Sequence, residues 1–335
     1  MEKTMRVGVI GLGRAGWQHA QIYHKLPLIE LVAVCDKNPD VLKRFSQTYP
    51  VKKIYTDFKQ LLEDPEIDAV SIVMPDTLHL EATEFALKNN KHILLEKPIA
   101  SDLADAKKIL HMAQKSSKTF MIAHIVRYMP QYALAHTAIA RGDIGEISFI
   151  STRRNSTISG ASAYSSHNTD TQIHLMIHDI DYVNWIVKSK PVKVFAKART
   201  ILLQKYNIRD VILAMIEYEN GIIVNMEACW SLPSNSPIEL DDRMEIVGSD
   251  GVIYIDGICN GLKMVLKDKI IQPDTVAWPQ INDYCGGAIF EEITAFINHI
   301  LKNDKPLVGA TEGYNALLVA EAIDRSIHEG IEILL

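Results

Sequence analysis

The segment G-x-G-x-x-G near the start of the chain constrains the fold most strongly. Gly11, Gly13 and Gly16 follow the β-branched run RVGVI at residues 6–10 and open a stretch, WQHAQIYHKL, with helical spacing of apolar residues. Between a strand and a helix, the first glycine permits a tight turn and the second lets backbone approach a pyrophosphate. The third lets the helix pack against the strand, so the pattern predicts a dinucleotide-binding turn.

An acidic residue stands where such a turn requires one. Asp36 ends the second predicted strand, 30–35, and a carboxylate there accepts the ribose hydroxyls of NAD and repels the 2′-phosphate of NADP. Lys37 is a cation beside that position, so NADP remains the alternative coenzyme. Arg14 and Ala15, at the positive end of the helix, complete the predicted phosphate contacts.

The alternation of strands and helices predicts two domains. A length of 335 residues suits two domains of roughly 100–200 residues each. Further strands at 67–73, 92–95 and 119–123 alternate with helices, which predicts a Rossmann domain, a doubly wound parallel sheet, over residues 1–123. We expect residues 124–335 to form an α+β domain that binds substrate and mediates oligomerisation.

The second half of the chain has a different rhythm. Turn signals such as Asn220-Gly221 and Asp250-Gly251 separate its strands and predict an open, mostly antiparallel sheet. The predicted strands are 146–153, 192–202, 211–218, 221–229, 244–248 and 251–255. Two closing helices, about 286–302 and 312–329, are expected to cover a sheet face or to return to the first domain.

Composition excludes several classes of protein. A formal charge of -6 without clustered Lys and Arg argues against a nucleic-acid surface. The chain contains no run of 18 apolar residues, so no membrane span is predicted. The four cysteines lack CxxC spacing, which argues against a zinc ribbon or a disulfide framework and favours reduced thiols in a cytoplasmic protein. Small ligands are the expected partners.

The tripeptide Glu96-Lys97-Pro98 lies at a position where a doubly wound sheet binds ligands. It follows strand 92–95, and ligands lie at the carboxyl ends of the strands in such sheets. A partly buried lysine beside a nicotinamide ring can hydrogen-bond a substrate hydroxyl and stabilise or transfer its proton. Without a partner motif, a lysine in a surface loop would be the alternative interpretation.

These motifs together resemble one known family. GLGRAG with His19, Asp36, Met74-Pro75 followed by His79, Glu96-Lys97-Pro98 and IHDID at 177–181 are similar to the Gfo/Idh/MocA oxidoreductases, named for glucose-fructose oxidoreductase and inositol dehydrogenase. AHIVRYMP at 123–130 and CWSLP at 229–233 resemble further landmarks of the family. The resemblance covers nearly the whole chain and implies a cis Lys97-Pro98 bond.

The resemblance implies NAD(P)-dependent oxidation or reduction at a secondary hydroxyl of a sugar, a sugar derivative or a cyclitol. Lys97 and His178 match the family's catalytic lysine and histidine. His178 would accept the hydroxyl proton while Lys97 polarises the same oxygen. Pro75, His79, Glu96 and Arg127 would join the coenzyme contacts. A homodimer or homotetramer formed through the second domain's sheet is also implied.

His174 departs from the family pattern, in which an aspartate precedes the catalytic histidine by four residues. In a regular helix His174 and His178 share one face, so His174 is expected to hydrogen-bond His178 or a substrate hydroxyl. One alternative is a divalent metal held with Asp170 or Asp181, although no third ligand is clear and we expect no metal. The other is a cleft-wall histidine bonded to backbone.

Several further residues are candidates for a polyol pocket. His124, Tyr128, Arg153 and Tyr164 are expected to contact substrate, with His79, Asn168 and Trp230 as weaker candidates. Adjacent strand residues point to opposite faces, so at most one of Arg153 and Arg154 faces the ligand. Asp179 and Asp181 are expected to fix helix and loop contacts.

Three function classes follow. The first is a dehydrogenase that forms NADH. The second cleaves glycosides through transient oxidation and elimination and consumes no NAD. The third is a non-catalytic NAD or sugar sensor, which the presence of both Lys97 and His178 disfavours.

Overall fold

The chain forms two compact units. A computed structural model describes residues 5–164, 170–257 and 261–335. One unit contains the described residues up to Ile125 together with Trp278–Tyr314, and the other contains Val126–Ala277 and Asn315–Leu335. The segment 278–314, which contains the first of the two closing helices, belongs to the first unit, one of the two placements expected for these helices.

The first unit is built on a six-stranded sheet in which every neighbouring pair is parallel, in the order β3-β2-β1-β4-β5-β6. This is the strand order of a doubly wound dinucleotide-binding fold. The predicted α/β class is thus confirmed, although the short edge strand β3 was not predicted. The strands are β1 Met5–Ile10, β2 Ile29–Cys35, β3 Lys53–Tyr55, β4 Ala69–Ile72, β5 His92–Glu96 and β6 Phe120–Ala123.

Two of the helices in the first unit show how a side chain caps a helix start. The side chain of Asn38 accepts a hydrogen bond from the backbone N–H of Asp40 at the start of α2, and Asp102 accepts one from Asp105 at the start of α5. Five helices connect the strands and a sixth, α9, packs against α1 and β5. They are α1 Arg14–Lys25, α2 Pro39–Thr48, α3 Phe58–Glu63, α4 His79–Lys88, α5 Leu103–Lys115 and α9 Ala288–Lys302.

The second unit is built on a seven-stranded sheet in the order β12-β11-β7-β10-β9-β8-β17. All neighbouring pairs are antiparallel except β7 and β10, which confirms the mostly antiparallel prediction. The strands are β7 Ile147–Thr157, β8 Pro191–Arg199, β9 Val211–Tyr218, β10 Ile223–Leu232, β11 Leu240–Gly248, β12 Val252–Asp256 and β17 Ile333–Leu334.

Side chains on this sheet alternate between a buried face and an exposed one. In β9, Ile212, Ala214 and Ile216 are buried whereas Leu213 and Met215 are exposed. The buried face carries the core of the unit. The helices of this unit are α6 Pro130–Arg141, α7 Ile158–Tyr164, α8 Ile177–Val187 and most of α10 Ala310–Glu329. Short strand pairs join Met264–Val265 to Ile270–Ile271 and, in the first unit, Gln280–Ile281 to Tyr284–Cys285.

None of the described helices is both long enough and apolar enough to cross a membrane.

Candidate active site

The three glycines of the first turn are required for different reasons. Gly11 has a φ of +91°, and a Cβ added there would lie 2.1 Å from the Val73 carbonyl oxygen. A Cβ on Gly16 would lie 1.8 Å from the Gly11 oxygen, so helix α1 packs too closely for any side chain. A Cβ on Gly13 would meet no described protein atom within 4 Å. Protein packing therefore requires Gly11 and Gly16, and leaves Gly13 open toward a ligand.

The start of α1 suits an anion. Among the described residues, no side chain caps Gly13 and no acid occupies the first turn. The positive end of the helix dipole therefore meets no side-chain cap and no acid from the described residues in the first turn. Arg14, which is exposed, places its guanidinium 5.4 Å from the Trp278 ring, and Ala15 is half-buried beside it. A cavity of about 540 Å³ adjoins this turn, lined in part by Leu12, Gly13 and Arg14.

Asp36 is fixed by backbone donors. Its Oδ2 accepts a hydrogen bond from the N–H of Leu12 at 2.7 Å, and its Oδ1 accepts one from the N–H of Asn38 at 2.8 Å. The carboxylate therefore joins the glycine turn to the end of β2 and keeps lone pairs for further donors. Lys37 is exposed beside it. These residues fit NAD: an uncapped helix start for the pyrophosphate and an oriented carboxylate for the ribose hydroxyls.

Lys97 lies immediately after β5, at the carboxyl end of the parallel sheet, and is half-buried. The Lys97-Pro98 bond is cis, which confirms the expectation from the family resemblance. The carboxylate of Glu96 lies 3.5 Å from the ring of the fully buried His19, and its contact with the coenzyme stays a prediction. Pro75 is exposed in the loop after β4.

His79 connects two loops at this end of the sheet. Its Nδ1 lies 2.9 Å from the Pro98 carbonyl oxygen, and its Nε2 lies 3.0 Å from that of Met74. Burial lowers the pKa of His79, which favours a neutral ring that donates to one carbonyl at a time. With 1% exposure, His79 connects the Met74 loop to the Lys97-Pro98 loop, and its contact with coenzyme or substrate stays a prediction.

In the second unit, His178 is half-buried in the first turn of α8. The preceding segment, Gln172–Met176, is a π-helical turn that contains His174. A π turn brings residues i and i+5 into register, so the four-residue spacing no longer sets both imidazoles on one α-helical face. Helical spacing in the sequence did not predict this turn. The His174 ring stacks on Trp230, with centroids 5.7 Å apart and planes at 29°.

Two buried arginines hold the acids that follow His178. Arg127 donates from Nε and Nη2 to the two carboxylate oxygens of Asp181, both at 2.7 Å. Arg154 donates to both oxygens of Asp179, at 3.0 and 2.7 Å. Such paired bonds fix orientation as well as distance. Asp179 and Asp181 thus attach α8 to the segment before α6 and to β7, as structural residues.

Arg127 and Arg153, which were predicted to contact coenzyme and substrate, each pair with a carboxylate of the protein. Arg127 is 3% exposed and engaged with Asp181, so it supports α8. Arg153 points to the opposite face of β7 from Arg154 and pairs with Glu227. Of the two adjacent arginines, Arg154 is the one that faces the helix of His178. The D-x-D spacing in IHDID could have indicated these two ion pairs. Residues two apart on a helix point in different directions, so each aspartate requires its own partner.

The remaining predicted substrate contacts are distributed unevenly. His124 is buried, with 1% exposure, which argues against direct contact with a substrate. Tyr128 is half-buried at the end of the short 3₁₀ helix Ile125–Tyr128. The side chain of Tyr164, at the end of α7, and the whole of Asn168 lie outside the described residues.

The acids that a metal site would recruit are used otherwise. Asp181 pairs with Arg127, and Asp170 pairs with Arg209 at 2.9 Å. Over residues 5–164, 170–257 and 261–335, no group of three or more His, Cys, Asp or Glu side chains is arranged to hold a metal ion.

Comparison with known proteins decides the family. Residues 5–124 match the family described as an oxidoreductase family with an NAD-binding Rossmann fold, and residues 132–254 match the Gfo/Idh/MocA C-terminal domain. The chain belongs to the Gfo/Idh/MocA oxidoreductases. It is an NAD-dependent oxidoreductase, which confirms the class and the coenzyme predicted from the sequence.

Similar proteins extend over the whole chain. A myo-inositol 2-dehydrogenase of Thermotoga maritima is 24% identical over 97% of this chain and 97% of its own length. A scyllo-inositol 2-dehydrogenase (NAD(+)) of Bacillus subtilis is 26% identical over 100% of this chain and 97% of its own length. The structure of scyllo-inositol dehydrogenase from Lactobacillus casei with NAD(H) and scyllo-inositol has a TM-score of 0.86, with 24% identity and 99% coverage of each chain.

Proposed function

We propose that the protein is a cyclitol dehydrogenase that transfers hydride between an inositol secondary hydroxyl and NAD. The observation that carries the proposal is the combination of an oriented coenzyme cradle with Lys97 at the end of β5 and with His178 on a helix held by buried ion pairs. Full-length similarity to inositol 2-dehydrogenases supports the substrate class. A sugar or a sugar derivative is the alternative substrate class.

Each residue has a distinct role in this proposal. When bound, NAD supplies the hydride acceptor. His178 accepts the hydroxyl proton, since a neutral imidazole is a proton acceptor near neutral pH. Lys97 donates a hydrogen bond to the same oxygen and stabilises the charge that develops as the proton leaves. His174 and Tyr128 are proposed to contact the other hydroxyls.

The proposed preference for NAD over NADP rests on Asp36. Its carboxylate is held by two backbone N–H groups, so it cannot turn away from the ribose without breaking both bonds. A 2′-phosphate placed there would meet a fixed negative charge, which Lys37 only partly offsets.

The exposed face of the second unit's sheet supports a homodimer or homotetramer. Phe195 neighbours Met215 across the strands, and Ile223 neighbours Phe149. All four are at least 36% exposed, although the alternation of an antiparallel sheet would place polar residues on a face left to solvent. The two apolar pairs share this face with Glu217 and Asn225, and we assign them to an interface with a second copy of the chain.

A substrate panel tests the function. Inositol stereoisomers, sugars and sugar nucleotides are incubated with NAD or NADP, and formation of reduced coenzyme is followed by absorbance. Net NADH with an inositol supports the proposal. Consumption of a glycoside without net NADH would instead favour transient oxidation and elimination, and NAD binding without turnover of any compound would favour a sensor.

A further inference from the structure

A row of buried polar groups lies beneath the Lys97 loop. His19, on α1, is fully buried, and its Nδ1 lies 3.0 Å from the hydroxyl of Ser71 on β4. That hydroxyl lies 2.8 Å from the hydroxyl of Tyr23, which is also fully buried. On its other side, Nε2 of His19 lies 3.5 Å from Oε1 of Glu96. Four side chains from one helix and two strands therefore form a row in space.

Glu96 lies at one end of the row and determines which atom facing it donates a hydrogen. An ionised carboxylate only accepts, so Nε2 of His19 carries the proton that faces Glu96. Nδ1 of His19 and the Tyr23 hydroxyl both lie within hydrogen-bonding distance of the Ser71 hydroxyl. The second oxygen of Glu96 accepts from the backbone N–H of Lys97 at 3.1 Å. At 3.5 Å the contact between Nε2 of His19 and Oε1 of Glu96 is longer than an ordinary hydrogen bond, and the row ends on the backbone of Lys97.

The pKa of Glu96 is consistent with an ionised carboxylate at the end of the row. Burial tends to raise the pKa of Glu96, but the hydrogen bond and charge of His19, the charge of Lys97 and the Lys97 N–H lower it overall. Glu96 therefore remains ionised. The other titratable groups that act on this row are His79, through its interaction with Glu96, and the buried Glu292 of α9, through its interaction with Tyr23.

We propose that His19 and Glu96 are positioning residues that set the location of Lys97. Glu96 accepts a hydrogen bond from the backbone N–H of Lys97 and so fixes the backbone that carries the Lys97 side chain. His19 limits rotation of the Glu96 carboxylate. Loss of this restraint leaves the cis bond and the strand in place but lets the ammonium group drift from its productive position. This inference rests on the role of Lys97 in the proposed function.

Two substitutions at one position separate the contacts. His19→Gln puts an amide nitrogen near the site of Nε2 and retains a donor for Glu96, whereas His19→Asn reaches only the site of Nδ1. We expect His19→Asn to lower kcat by roughly ten- to a hundredfold, the scale of an ångström-sized misplacement, with the Kd for NAD unchanged. His19→Gln should restore most of kcat. Glu96→Gln, which keeps the shape but replaces an acceptor with a donor facing His19, should behave like His19→Asn.

The controls distinguish positioning from stability. His24→Gln changes an exposed histidine on the same helix and should leave kcat, KM and the melting temperature unchanged. Wild-type kcat in both His19→Asn and Glu96→Gln, equal losses in His19→Asn and His19→Gln, or a parallel loss of NAD affinity would each overturn the inference. If Lys97→Ala itself retained wild-type turnover, the proposed function would fail instead.

Discussion

At the scale of single residues, Gly13 differs from Gly11 and Gly16, because no described protein atom would clash with a side chain at Gly13. A Cβ at Gly16 collides with backbone at 1.8 Å, whereas one at Gly13 meets nothing within 4 Å. Gly13 also has a φ of −65°, which any residue adopts. The contrast separates what the fold requires from what the coenzyme requires.

This contrast predicts opposite behaviour for two alanine variants. Gly13→Ala should keep the wild-type melting temperature and weaken NAD binding by at least tenfold, because its methyl group intrudes where the pyrophosphate approaches. Gly16→Ala should lower the melting temperature, because the turn must open to admit a Cβ. Differential scanning fluorimetry with and without NAD measures both effects. A stable Gly13→Ala protein with unchanged NAD affinity would show that the phosphates lie elsewhere.

The roles of single residues were predictable where a motif carries a fixed geometry, and less so elsewhere. The glycines, Asp36 and the cis Lys97-Pro98 bond follow local rules. The contacts of three other residues do not follow local rules. The partners of Arg127 and Arg153 are 54 and 74 residues away in sequence, and those of His79 are 5 and 19 residues away. Composition near an arginine does not reveal whether its partner is a buried carboxylate or a ligand.

At the scale of elements, α8 depends on buried ion pairs for its orientation. Removing one partner leaves a buried charge without compensation, which costs about 3–5 kcal/mol. We expect Arg127→Met to reduce the free energy of unfolding by about that amount, measured by urea denaturation. The double variant Arg127→Met/Asp181→Leu should recover much of the loss, because neither charge then remains buried.

A surface pair provides the matched control. Arg325 and Glu329 form an exposed i,i+4 pair on α10, so Arg325→Ala should have little effect on unfolding. If Arg127→Met and Arg325→Ala had the same small effect, the ion pair would not orient α8.

The strand β5 should respond to acid through His92. The N–H of Thr119 donates to Nδ1 of His92 at 3.0 Å, so that nitrogen must be unprotonated. Burial, with a smaller contribution from Lys118, lowers the pKa of His92 to about 4 against opposition from Asp68. In the unfolded chain the pKa of a histidine is about 6.5, which is about 2.5 units above the value in the folded protein. The unfolded chain therefore binds the proton first, and stability is lost as the pH falls from about 6.5 to 4.

His92→Asn tests this dependence. The amide oxygen of asparagine can accept from Thr119 without titrating, so the variant should lose less stability than the wild type between about pH 6.5 and 4. Parallel urea denaturation curves at several pH values measure the difference, with His24→Gln as the exposed control. Identical pH slopes for wild type and His92→Asn would refute the assignment.

The regular elements were predicted better than their irregular features. Strands and helices with sustained periodicity appear close to their expected bounds. The π turn around His174 was missed because a single extra residue per turn leaves no periodic signal in so short a segment. The parallel pairing of β7 with β10 was missed because it joins strands distant in sequence, whereas hairpin signals report only neighbours.

For the molecule as a whole, the exposed apolar sheet face predicts self-association. Met215→Lys places a charge among Phe195 and its neighbours and should shift the protein toward monomer in size-exclusion chromatography with light scattering. Leu134→Lys changes an exposed apolar residue on α6, away from the sheet, and should leave the assembly unchanged. A wild-type protein that is monomeric at micromolar concentration would refute the proposed interface.

The central claim is that Lys97 and His178 act on one alcohol while the first unit holds NAD. Single-turnover formation of NADH from a reactive inositol, measured by stopped-flow absorbance, tests it most directly. Lys97→Ala and His178→Ala should each slow hydride transfer by about 10²–10⁴-fold while their affinity for NAD stays at the wild-type value. A wild-type rate of NADH formation in either variant would contradict the account.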